Sequence, residues 1–392
     1  MNGAQVISLG CRLNLSESEG IRAMLADAPD TVVINSCAVT SEAVRQTRKA
    51  IRRARRARPD ARLLVTGCAA ETERDALAAM PEVDGLVANT AKLDPRAWNV
   101  PLPEAPPASE THTRAFVAVQ NGCDHACTFC IIPQGRGPSR SLTIGQVVAE
   151  VRGHVEQGAL EAVLTGVDVT SWGHDLPGSP PLGALVEAVL RDVPGLARLR
   201  MSSLDGVEID PLLFDLLAGE ERVMPHLHLS LQHGHDLVLK RMKRRHSRAQ
   251  AVDLVERLRA RRPDLAIGAD LIAGFPTESD EHHAANLSII RDLDIVHAHI
   301  FPYSPRPGTP AARMPQVERG AVKARAAELR EMAAETRTRW LGSIIGQPQR
   351  VLAERDGTGH AENFARLALP DGTPHGSLMT ITPESLHTGL LR

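Results

Sequence analysis

Hydrophobic positions over roughly the first 93 residues come in short runs separated by stretches with helical spacing. The runs near 4–9, 31–35, 62–66 and 85–88 predict strands, with helices between them. The clearest helix follows Cys37. There Val44, Thr47, Ile51 and Ala54 recur at spacings of three and four, while Arg45, Arg48, Arg52 and Arg55 fall on another face. A proline-rich stretch without periodicity, NVPLPEAPPASETHT at 99–113, predicts a linker.

Alternation then resumes at greater length. AFVAVQ, AVLTGV, RLRMSS, HLHLSL, AIGADLIAG and VHAHIFPY predict six strands, separated by helical patterns such as AQAVDLVERLRARR. Six strand–helix repeats are too few for an eight-fold barrel, so an open, partial (βα)6 barrel is expected. A helix rich in Ala and Arg is predicted over 317–342, and the short β-like runs of the last fifty residues predict a small β domain. The expected α/β chain therefore has a parallel-sheet domain at 1–98, the linker at 99–113, the partial barrel and its following helix at 114–342, and the β domain at 343–392.

Composition adds bounds. The 392 residues are 43% hydrophobic and 23% charged, as in ordinary globular proteins. No apolar run approaches the roughly 18 residues of a membrane helix. VISLGC lacks the basic segment and the long apolar run of a cleaved leader, so a cytoplasmic location is expected. In that compartment six cysteines argue for metal or catalysis rather than disulfides. The net charge of −2 hides two basic stretches, 45–62 and 240–248, either of which is a candidate for a polyanion or simply a solvated face. Sixteen histidines show no ligand spacing, so surface and loop positions are expected for most.

The cysteines form two triads. Cys11, Cys37 and Cys68 each follow an apolar strand-like run and a small residue, one strand–helix unit apart. In a parallel sheet those loops share the carboxyl edge, where ligands bind. Cys123, Cys127 and Cys130, in NGCDHACTFCIIPQGRG, are spaced CxxxCxxC at the end of the first barrel strand. Such a loop can present three thiolates to an iron–sulfur cube and leave one iron open. Zinc, with His125 or Asp124 as fourth ligand, is the rival.

CxxxCxxC with aromatic Phe129 before the last cysteine resembles the radical S-adenosylmethionine superfamily. With the N-terminal triad and the β tail, the whole chain resembles the methylthiotransferases. FVAVQNGCDHACTFCIIPQGRGPSRS, GCRLNLSESE, MPHLHLSLQHG and GADLIAGFPTE are most similar to the branch that modifies threonylcarbamoyladenosine beside the tRNA anticodon. The tail resembles the family's RNA-binding TRAM module, in a shorter form, and His233 stands where the family usually has a small residue.

The resemblance implies two [4Fe-4S] clusters. Cys123, Cys127 and Cys130 would hold the one that binds and cleaves S-adenosylmethionine. Cys11, Cys37 and Cys68 would hold an auxiliary cluster carrying the sulfur, while a second S-adenosylmethionine supplies the methyl group. The six cysteines are thus the expected catalytic and metal-binding residues. Gly166, Asp168, Ser203, Asp205, Gln232 and Asp270, at or near successive strand ends, are candidate cofactor contacts. Arg136 and Arg140 are candidates for a carboxylate or an RNA phosphate. Expected partners are the tRNA anticodon loop and an electron donor such as flavodoxin or ferredoxin, with the enzyme a monomer. The rival substrates are isopentenyladenosine in tRNA and a ribosomal-protein aspartate. A non-catalytic metal-binding RNA-binding protein is the rival from another class.

Overall fold

The computed structural model describes residues 3–100 and 113–392; the predicted linker lies mostly outside them, at 101–112. Strands β1 (Gln5–Ser8), β2 (Thr31–Ser36), β3 (Arg62–Gly67) and β4 (Gly85–Leu86) form a parallel sheet in sequence order. Alternate residues of β2 and β3 feed two different cores. Val32, Ile34, Leu63 and Val65 pack with Val44, Ile51 and Ala54 of the helix Ser41–Ala57. Val33 and Leu64 pack with Ile21 of the helix Arg12–Met24 and with Trp98. Burial on both faces explains why these strands read as continuous apolar runs. Thr40 caps the helix Ser41–Ala57 by accepting from the Ala43 amide, and Val44, Thr47, Ile51 and Ala54 form its buried face, as the spacing predicts.

The second unit has strands β5 (Ala115–Ala118), β6 (Glu161–Thr165), β7 (Arg198–Met201), β8 (His226–Gln232), β9 (Ala266–Ala273) and β10 (Ile295–Pro302). β5–β7 and β8–β10 are parallel three-stranded sheets. Two parallel bridges, Leu199 to Val223 and Leu204 to Leu229, link them into one open arc. Val117, Leu164, Leu199, Leu229 and Ile267 belong to a continuous core shared with the surrounding helices. Capping boxes at Thr143, Ser247 and Ser279 start three of those helices.

The helix Arg319–Ile344 runs from the barrel, where Ala326 and Leu329 are buried, to the tail, where Leu341 and Ile344 pack on Val351, Leu367 and Leu391. The tail is a six-stranded, mostly antiparallel sheet. It docks on the barrel through Arg198 and Arg200, whose guanidiniums donate to the Arg350 carbonyl at 2.7 Å and the Ala361 and Glu362 carbonyls at 2.8 Å. Glu161, fully buried, answers both charges and that of Arg114. Among the described residues no helix is long and apolar enough to cross a membrane.

Candidate active site

Cys11, Cys37 and Cys68 stand at the carboxyl ends of β1, β2 and β3, and glycines draw their loops together. Gly10 has φ +95°, and a Cβ on it would lie 2.7 Å from the Cys37 sulfur. Gly67, at φ +89°, approaches the Ser36 carbonyl so closely that a Cβ would lie 2.4 Å from it. Cys11 is exposed, whereas Cys37 and Cys68 are buried. Burial pushes the Cys37 thiol up to about 11 and raises Cys68 as well. Such thiols keep their protons at neutral pH until a metal displaces them.

The second triad starts where the first barrel strand ends. Gly122, at φ +78°, passes so near the Pro138 carbonyl that no side chain fits. The His125 and Ile132 amides each point at a sulfur, those of Cys123 and Cys130, at 3.4 Å. Phe129 meets Phe275 edge-on at 6.4 Å, and Phe275 meets Tyr303, so the aromatic residue anchors the loop. Arg244 reaches the Cys127 sulfur at 3.7 Å. Burial pushes Cys123 up to about 12 and Cys130 up to about 11. All six cysteines are free, and the two groups of three soft donors fit three-thiolate clusters. Of the rival zinc ligands, Asp124 accepts instead from the Ser139 amide. His125 does lie with Cys123 and Asp168 in a group whose ligand atoms are within 4.8 Å of one another, but its Nε2 is 2.6 Å from Asp168.

The triads face each other across the two units. The short helix Ile132–Arg136, directly after Cys130, lies against Cys68; a Cβ on Gly135 would be 3.2 Å from the Cys68 Cβ. Arg136, a candidate for a carboxylate or a phosphate, meets a carboxylate of this chain. Its guanidinium is 2% exposed and closes a fork on Glu17 at 2.9 and 3.0 Å, with Asn14 and Asn121 as further acceptors. Lys92 meets the same carboxylate at 2.5 Å. Burial alone would raise the Glu17 carboxyl, but Lys92 and Arg136 overturn that and hold it below its usual range. Both terminal nitrogens of Arg136 thus have partners within this chain. The sequence reading missed Glu17 and Lys92, although GCRLNLSESE contains the first.

The remaining candidates separate into two regions. Gly166 lets the loop after β6 approach Gln120, whose Oε1 accepts from the Val167 and Asp168 amides at 3.0 and 2.9 Å. Asp168 accepts from Ser171 and faces Cys123 and His125, beside the second triad. Asp205 is held below its usual range because hydrogen bonding from His246 and the charges of Arg244 and Arg245 outweigh its burial. Asp270 belongs elsewhere: His228 Nε2 and His299 Nδ1 contact its Oδ1 at 3.1 and 3.0 Å, and Ser203 donates to it at 3.5 Å. Gln232 ends β8 in a left-handed conformation, φ +68°, where the register slips. Arg140 is exposed and donates to the Pro138 and Arg136 carbonyls.

Both basic stretches differ from a uniform charged face. Arg244 is buried at the barrel mouth, and Arg245 pairs with Asp205 and Glu208. Arg48, Arg52 and Arg55 pair with Glu73, Glu82 and Asp84. Many histidines are internal, including His226, His228, His246 and His297. His233 is fully buried against Glu278, which in turn accepts from the Gly274 and Phe275 amides. It therefore supports the segment carrying Phe275.

Residues 117–287 match the Radical SAM superfamily, and residues 4–88 match Uncharacterized protein family UPF0004. The Threonylcarbamoyladenosine tRNA methylthiotransferase MtaB of Rickettsia prowazekii (strain Madrid E) is 44% identical, over 99% of this chain and 96% of that protein. The chain belongs to the radical S-adenosylmethionine methylthiotransferases. A relative of the same name from Chlamydia pneumoniae is 34% identical over 93% of this chain and 91% of its own. A tRNA-2-methylthio-N(6)-dimethylallyladenosine synthase of Cereibacter sphaeroides is 33% identical over 89% and 86%. Among solved structures, the radical S-adenosylmethionine methyltransferase TsrM from Kitasatospora setae superposes with a TM-score of 0.54 at 18% identity, covering 77% of this chain and 68% of its own; that likeness is one of fold. As a methylthiotransferase this chain is an enzyme that uses S-adenosylmethionine and [4Fe-4S] clusters.

Proposed function

We propose that this methylthiotransferase converts N6-threonylcarbamoyladenosine beside the tRNA anticodon to its 2-methylthio derivative. The observation that carries the reading is the full-length similarity to a relative bearing that name, with all six cysteines present in two facing triads. Cys123, Cys127 and Cys130 hold one cluster and Cys11, Cys37 and Cys68 the other. When bound, these clusters and S-adenosylmethionine supply the one-electron chemistry, the sulfur and the methyl group.

The chain's own residues shape the space around them. Asp168 and the backbone released by Gly166 serve the cofactor beside Cys123. Asp205 orients Arg244 against the Cys127 sulfur. Phe275 and Tyr303 keep water from the loop through Phe129. Glu17, Lys92 and Arg136 fix the N-terminal unit on the barrel. The unit boundaries follow this division of labour, with the auxiliary site in 1–98, radical generation in 114–342 and an RNA grip in 343–392. An anticodon-loop nucleotide can be splayed into such a site more readily than one in a stem. A reduced carrier such as flavodoxin or ferredoxin provides electrons, and the enzyme works as a cytoplasmic monomer.

The test offers anaerobically reconstituted enzyme two anticodon stem-loops, one with threonylcarbamoyladenosine and one with isopentenyladenosine. Methylthiolation of the first alone is expected. Turnover of the second alone assigns the chain to the other substrate, and tight zinc without 5′-deoxyadenosine formation removes the reaction class.

A further inference from the structure

A cavity of about 480 Å³ opens where the three units meet. Its walls include Arg12, His228, His299, Arg330, Arg337 and Phe364. The volume lies within the roughly 300–1,000 Å³ of pockets that take small ligands. Arg12 directly follows Cys11, so one wall of this chamber adjoins the auxiliary triad.

Arg12 differs from the other arginines there. Arg337 donates to His297 and the Val296 carbonyl, Arg330 donates to the Ile300 carbonyl, and Arg366 pairs with Asp356. The Arg12 side chain has no hydrogen bond or ion pair among the described residues. Its guanidinium lies 5.7 Å from the centre of the Phe364 ring, a face it shares with Arg114 and Arg200 at 5.3 and 4.9 Å. Phe364 is held at φ +70°, a conformation costly for an aromatic residue. Asp270 stands behind two of the lining imidazoles, His228 and His299, which contact its Oδ1 at 3.1 and 3.0 Å. A half-buried guanidinium that makes no hydrogen bond of its own is most readily satisfied by a planar anion from outside.

We propose that Arg12 receives the carboxylate of the threonylcarbamoyl group and so determines the side-chain specificity of this enzyme. The inference rests on the substrate reading above and deepens it to one residue. An apolar dimethylallyl group in the same place would leave the guanidinium desolvated and unpaired.

The experiment compares two stem-loops, one carrying threonylcarbamoyladenosine and the other its methyl ester, with wild-type, Arg12→Lys and Arg12→Gln enzymes. Iron content and 5′-deoxyadenosine formation are measured in parallel. Wild type should prefer the acid by about 10- to 100-fold in kcat/KM, the range for a hydrogen bond to a charged group. Arg12→Lys should keep part of that preference, and Arg12→Gln should lose it with iron content unchanged. Undiminished discrimination by Arg12→Gln overturns the assignment to Arg12. If Arg12→Gln loads less iron, the wild-type comparison still decides, because equal turnover of acid and ester by wild type also overturns it. Failure of wild type on the acid stem-loop itself would instead sink the substrate reading.

Discussion

Replacing Glu17 by glutamine should expose how the N-terminal unit is locked to the barrel. Glu17 and Lys92 are each 1% exposed and Arg136 is 2% exposed, so one buried anion serves two buried cations. Glutamine keeps the size and one acceptor oxygen, and the change therefore removes charge while leaving two cations unanswered. Breaking a buried pair in this way costs about 3–5 kcal/mol. Arg136→Met should cost less, about 2–3 kcal/mol, because Glu17 and Lys92 remain a balanced pair and the loss is mainly one of hydrogen bonds. Urea unfolding of the cluster-free protein, followed by tryptophan fluorescence, gives the order directly. Trp98 reports beside the site, since its indole donates to the Lys92 carbonyl at 2.8 Å. The pH dependence has a definite sign. The Glu17 carboxyl is depressed in the fold, so its contribution is present above the ordinary carboxylate pKa and lost as pH falls through the depressed value. Glu17→Gln should flatten that acid limb. Thiolates around a bound auxiliary cluster would return negative charge near Arg136, so the penalty should shrink in reconstituted protein. A more damaging Arg136→Met, or a Glu17→Gln that costs under about 1 kcal/mol, would show that Glu17 is not the charge that locks the two units.

Three further outcomes follow from the same geometry. Cys37→Ala should retain S-adenosylmethionine cleavage and lose methylthiolated product, whereas alanine at Cys123, Cys127 and Cys130 should remove about half the iron and all cleavage; product from the Cys37 variant would contradict the auxiliary role. His297, held down to about 3 by burial and by Arg337, is neutral in the fold, so its stabilisation is lost as pH falls from about 6.5 towards 3. His297→Asn should be less acid-labile over that window, and an unchanged acid slope in urea unfolding would speak against the assignment. Lys49, Arg53 and Arg56 have no ion-pair partner among the described residues, and replacing all three with glutamine should weaken tRNA binding broadly and flatten its salt dependence; unchanged affinity would return this face to solvent.

Local chemistry made much of the fold legible. Period and burial agree at Val44, Thr47, Ile51 and Ala54, because a helix repeats its contacts every three or four residues. The cysteine loops were readable for a similar reason: each apolar strand ends in a small residue that the close approach of Gly10 or Gly67 requires. Partners distant in sequence were not readable. Arg136 meets Glu17 across 119 positions, and Arg244 meets Asp205 across 39, so neither pattern distinguishes a solvated arginine from one held inside. The histidines were misjudged on the same ground. His226 and His297 lie on β8 and β10, the two strands that flank β9, and the tail ring Phe364 stacks over His226, a juxtaposition that only the assembled units create.

The most direct test of the substrate is nucleoside mass spectrometry of tRNA from cells with and without this gene. Deletion should abolish 2-methylthio-threonylcarbamoyladenosine, accumulate its unmethylthiolated precursor and leave 2-methylthio-isopentenyladenosine unchanged. Loss of the isopentenyl derivative, with the threonylcarbamoyl derivative intact, would contradict the assignment.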